Sequence, residues 1–104
     1  MTNNYKKTIF ALSRIHIEIE KFVKEIVKDA YKNVDDIHYK IGLDGPYYKI
    51  GLYNSKTKIT VVKPYELMEF MDMCTKKKIE MELNLRVREM LLKTEGTKKG
   101  VIIV

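Results

Sequence analysis

A single cysteine, Cys74, rules out an internal disulfide, and no stretch rich in Ser, Gly or Pro divides the chain. The thiol lies in an apolar helical pattern, where a reduced, buried cysteine is ordinary. Apolar runs are short: none approaches the roughly 18 residues of a membrane span, and Met1 to Lys7 lacks the apolar block of a signal peptide. These absences predict a cytoplasmic protein without a membrane partner. With 104 residues, 45% of them hydrophobic, the chain has the size of one domain, 1–104, around one core.

Catalytic chemistry is scarce too. His16 and His38 fall in different elements, which argues against a zinc site, and His16 projects near the buried side of its helix as a core-edge residue. Nothing local supports a Cys74–His nucleophile. Asp35-Asp36 reads as a loop between helix and strand. The glycines of Ile41 to Gly51 lack both the spacing and the following helix of a phosphate-cradling loop. No catalytic residue, metal or cofactor is predicted, and the chain is not expected to be an enzyme.

Arginine is the third scarcity. Arg14, Arg86 and Arg88 are the only ones among 20 basic residues, although the formal charge is +6. Lysines near phosphates give affinity without sequence reading, whereas arginine supplies bidentate contacts. The charge therefore points to non-specific nucleic-acid contact, or merely to the composition of an AT-rich genome.

What the chain does have is a repeat. Tyr39-Lys40-Ile41-Gly42-Leu43 recurs as Tyr48-Lys49-Ile50-Gly51-Leu52, and turn-forming Asp44-Gly45-Pro46-Tyr47 separates the copies. This predicts a β-hairpin with Leu43 opposite Tyr48, Ile41 opposite Ile50 and Tyr39 opposite Leu52. A third strand is expected across the loop Asn54-Ser55-Lys56-Thr57, with Leu52 against Ile59 and Ile50 against Val61. One face is then apolar; the other carries His38, Lys40, Lys49, Tyr53, Lys58 and Thr60, with Gly42 and Gly51 as gaps.

A long helix, Tyr5 to Lys32, precedes the hairpin, with Ile9, Leu12, Ile15, Ile19, Phe22, Val23, Ile26, Val27 and Ala30 on one side. Phe10 and Ile17 lie one heptad apart on its polar side, a spacing suited to a partner helix; they are the expected oligomer interface. A second helix is expected from Pro64, through Leu67, Phe70, Met71 and Cys74, with Lys76-Lys77-Lys78 favouring its C-terminal end. Ile79, Met81, Leu83, Leu85 and Val87 then alternate with charged or polar residues, which predicts a strand; the alternative is a helix continuous from Pro64 to Lys93. Val101 to Val104 form a last, fully apolar strand that must be paired or covered. The fold class is α+β: a long helix packed on an antiparallel three-stranded meander, a second helix, and one or two C-terminal strands.

Function is read from the best patch, Lys40, Lys49, Tyr53, Lys56, Lys58 and Lys63. No acidic residue occurs between Gly45 and Tyr65, and Tyr47, Tyr48 and Tyr53 interleave with lysines, a combination suited to phosphate attraction and base stacking. The hairpin tip from Tyr53 to Lys58 resembles the basic wing that winged-helix DNA-binding proteins lay on a phosphate backbone. The resemblance is confined to that tip and implies backbone contact by Lys56 and Lys58. The expected function is that of a small nucleic-acid-binding accessory or regulatory protein, homodimeric or larger. The alternatives are an inhibitor of the kind found on phages and plasmids, which occludes a host macromolecule, and an oligomer that sequesters an anionic ligand.

Overall fold

The computed structural model describes residues 2–73 and 75–104, with side chains described for 14–73, 75 and 77–104. Cys74 and the side chains of Ile9, Phe10 and Leu12 thus lie outside the described residues. The elements run α1 (Thr2–Ala30), a 3-10 turn (Val34–Asp36), β1 (Ile37–Asp44), β2 (Tyr47–Asn54), β3 (Ile59–Glu66), α2 (Leu67–Met73), α3 (Lys76–Thr94) and β4 (Gly100–Ile103). The fold is α+β, with α1 packed against a four-stranded mixed sheet.

The duplicated segment closes as its alternation demands. Tyr39 pairs with Leu52, Ile41 with Ile50 and Leu43 with Tyr48. Gly45 takes φ +61°, the left-handed value that the first position of a II′ turn requires, and Pro46 supplies the fixed negative φ that follows.

The next hairpin is offset from the expected register: Leu52 pairs with Val61 and Asn54 with Ile59. Asn54 causes the offset. Its Oδ1 accepts the N–H groups of Lys56 (3.0 Å) and Thr57 (3.3 Å), and its carbonyl accepts that of Lys58 (2.8 Å), so the loop becomes Ser55 to Lys58. Lys58 takes φ +64° to close it. Because the offset is an even step, every side chain keeps its expected face.

β3 continues through Pro64 to Glu66, so the helix expected at Pro64 begins only at Leu67. The Val62 carbonyl accepts the Val104 N–H at 3.0 Å, and the Pro64 nitrogen, two residues on, points to the same side. It lies beyond the last β3–β4 pair, Val62 with Ile103, where the ladder needs no donor. β4 runs parallel to β3 and thereby pairs the apolar C-terminal segment.

The alternating segment is helix α3, not a strand, and it is not continuous with α2. Thr75 is extended (φ −91°, ψ 145°), and its carbonyl accepts the Ile79 N–H at 3.0 Å, so a new helix starts there. Lys76-Lys77-Lys78 consequently open α3 instead of closing α2, at the end where the helix dipole disfavours cations. The alternation arises because a step of two residues turns a helix by about 200°. Ile79, Leu83 and Val87 are buried, whereas Met81 and Leu85 stand on the opposite side, 66% and 65% exposed.

α1 and α3 lie side by side and run in the same direction: Phe22 and Ile26 share a groove with Glu80 and Asn84, and Asp29 pairs with Arg88 at 2.7 Å. Both helices cover one face of the sheet. The core there joins Ile19, Val23 and Val27 of α1, Ile50, Leu52, Ile59 and Val61 of the sheet, and Leu83, Val87 and Met90 of α3. Each fully buried aliphatic contributes about 1.5–3 kcal/mol. Ala30, expected on the buried side of α1, is exposed.

Candidate nucleic-acid interface

Strand alternation sends every second side chain away from the helices, and no described helix covers that second face. The registers place His38, Lys40 and Gly42 of β1 beside Tyr53, Gly51 and Lys49 of β2, then Thr60 and Val62 of β3 and Val101 of β4. These residues line a shallow depression of about 730 Å³. Lys40 stands opposite Gly51, and Lys49 opposite Gly42. A side chain at Gly42 would meet nothing within 4 Å, so the floor is bare there; at Gly51 a Cβ would come 3.3 Å from the Lys40 carbonyl.

Tyr53 and His38 are cross-strand neighbours with ring centroids 6.0 Å apart. Tyr53 is half-buried and His38 exposed. The pair offers an aromatic surface on the same face as Lys40.

Charge is unevenly spread over this face. Lys49 donates to Asp44 Oδ2 at 2.6 Å, and that hydrogen bond, with the lysine's charge, holds the Asp44 carboxyl below its usual range. Asp44 and Glu66 lie toward the Gly45-Pro46 end. Lys40 stands mid-strand, near enough to lower the Asp44 carboxyl as well, and the exposed turn lysines Lys56 and Lys58 lie at the other end, near Asp35 and Asp36. Thr57 anchors that turn by donating from Oγ1 to the Thr94 carbonyl at 2.6 Å, while Asn54, buried completely, donates from Nδ2 to the Tyr31 hydroxyl at 3.0 Å.

Of the expected patch, the structure brings Lys40, Lys49 and Tyr53 together on one face, with Lys56 and Lys58 at its end. Lys63 does not join them. It is on the helix-covered side of β3, its Nζ 5.0 Å from the centre of the Tyr65 ring. Lys98 and Lys99 were not legible as part of the patch, yet pairing of Ile59 with Gly100 brings them to the same end as Lys56 and Lys58. Their only sequence signal is a position just before Gly100. The alternation predicts His38 on this face, outside the patch; its contact with Tyr53 follows from the hairpin register.

Two other titratable groups make contacts within the fold. His16 meets the Tyr48 hydroxyl through Nδ1 at 2.7 Å and Glu20 through Nε2 at 2.8 Å, a core-edge histidine with an i+4 partner. Tyr65 donates to Glu82 at 2.8 Å; burial first, then that bond, pushes its hydroxyl well above the ordinary tyrosine range. Among the described residues there is no group of three or more His, Cys, Asp or Glu able to hold a metal ion, and no helix long and apolar enough to cross a membrane. Ile17, the described half of the expected oligomer interface, is 70% exposed.

No protein-family model matches the chain, and no curated protein and no solved structure matches it.

Proposed function

We propose that the protein binds single-stranded nucleic acid on the uncovered face of its sheet, as an accessory or regulatory factor and not as an enzyme. One observation carries this reading: Tyr53, His38 and Lys40 stand together on a face free of helices, with further lysines at one end. Unstacked bases gain about 1–3 kcal/mol each on an aromatic ring, and ammonium groups beside the ring take the phosphates. A sheet face four strands across, at about 4.8 Å between strands, is too wide for a duplex major groove about 12 Å wide, whereas a single strand can lie along it. The bare backbone at Gly42 leaves room for a sugar or base edge to approach. Fluorescence anisotropy with mixed-sequence single-stranded DNA, single-stranded RNA and duplex tests the proposal. Both single strands are expected to bind more tightly than the duplex, with affinity falling steeply with salt.

A second reading, occlusion of another macromolecule by an apolar contact, is favoured by Val101 and Ile103, exposed at 68% and 72% on β4. It separates cleanly from the first, because an apolar protein contact responds little to salt.

A further inference from the structure

We propose that two copies of this chain pair through the outer side of α3, antiparallel, about a two-fold axis passing between Arg86 and Val87. The inference is independent of the nucleic-acid reading. It begins with the side of α3 opposite the core. Met81, Leu85 and Leu92 are exposed at 66%, 65% and 75%, and at 100° per residue they fall within about 40° of one another. With Arg88 they occupy i, i+4, i+7 and i+11, the spacing of a helix–helix seam. Arg88 is already neutralised by Asp29 at 2.7 Å and leans toward α1, away from that seam.

Charge chooses the occupant and its direction. α3 opens with lysines and has no acid in its first turn, the sign that its dipole disfavours there; its last turn carries Lys93, and the exposed Glu95 follows it, beside Tyr31. An antiparallel copy brings the lysines of each opening turn to the negative end of the partner helix. With the axis between Arg86 and Val87, Met81 meets the partner's Leu92, Leu85 meets the partner's Arg88 stem, and Lys78 meets the partner's Glu95 at the negative end of the partner helix. The same contacts repeat by symmetry, as a two-fold interface requires. A parallel pair would instead stack lysine on lysine. Pairing through the helical layer leaves both uncovered sheet faces outward.

Sedimentation equilibrium on the full chain, from about 1 to 100 µM, tests this. The wild type is expected at twice 12.3 kDa. Leu85→Glu with Leu92→Glu is expected to raise the dimer dissociation constant about ten-fold or more, with helical circular dichroism unchanged because both residues are exposed. Lys78→Glu and Glu95→Lys each weaken the dimer, and the double reversal restores it; this second arm stands if the leucine variant misfolds. A wild type that stays at 12.3 kDa throughout overturns the proposal. So does failure of the double charge reversal to restore pairing, or a dimer lost in Val101→Lys with Ile103→Lys but intact in the leucine variant, which would place the contact at the β4 edge.

Discussion

Tyr53 is the residue on which the functional reading leans most. Its ring lies on the uncovered face beside His38, so Tyr53→Ala should cost about 1–3 kcal/mol of single-strand affinity while Tyr53→Phe, which keeps the ring, should cost little. Anisotropy titrations at one salt concentration measure both. Its neighbour Asn54 acts on stability instead. The buried side chain serves Lys56, Thr57 and Tyr31 together, and Asn54→Ala should lose about 2–3 kcal/mol in urea unfolding because those polar groups are left without their partner. Asp44 opposes the proposed function by holding Lys49. Its folded pKa lies below the unfolded value near about 3.9, so the pair's small contribution is present above that value and fades as pH falls through the folded one. Asp44→Asn should flatten this acid dependence of the unfolding midpoint and, by releasing Lys49, tighten nucleic-acid binding at neutral pH.

At the scale of elements, α3 supplies the sharpest contrast. Leu83 is buried and Leu85 is 65% exposed, two residues apart on opposite sides of one helix. Leu83→Lys should destabilise by about 3 kcal/mol or more, whereas Leu85→Lys should leave monomer stability within about 0.5 kcal/mol, read from urea midpoints at low protein concentration. A strand would bury both leucines on one face, which is what the alternation of Ile79 to Val87 suggested. That pattern misled because α3 is apolar on two opposite sides; helix-forming Met, Glu, Leu and Arg carried the better signal. The first hairpin, by contrast, was fully legible. Its repeat, its Gly-Pro turn and its alternation all specify one register, and agreement among independent local signals makes a register readable. The second hairpin was legible in face but not in pairing, since the Asn54 side chain, not the loop length alone, sets the closing pair. Pro64 looked like a helix start because its place beyond the last β3–β4 pair, where the ladder needs no donor, is a tertiary fact. For the same reason the candidate site was legible in Lys40, Tyr53 and the turn lysines, while Lys98 and Lys99 became visible only through the β3–β4 pairing.

For the whole molecule, the decisive feature is that its described helices lie on one side of the sheet and leave the other bare, with Lys40 on that face and the turn lysines Lys56 and Lys58 at its Asn54 end. A single strand lying on that face would release counterions from each lysine–phosphate contact, at about 0.7 in the log–log salt slope per contact. Lys40, Lys56 and Lys58 are exposed and support no buried contact, so replacing all three by alanine should leave folding intact. The most direct measurement is therefore a salt titration of single-stranded nucleic-acid binding by the wild type and by the triple variant Lys40→Ala, Lys56→Ala and Lys58→Ala. The account predicts weaker binding to every sequence and a salt slope lower by about 2.1 in the variant. Equal affinity and equal slope in the two proteins, or no binding by the wild type at low salt, would contradict it.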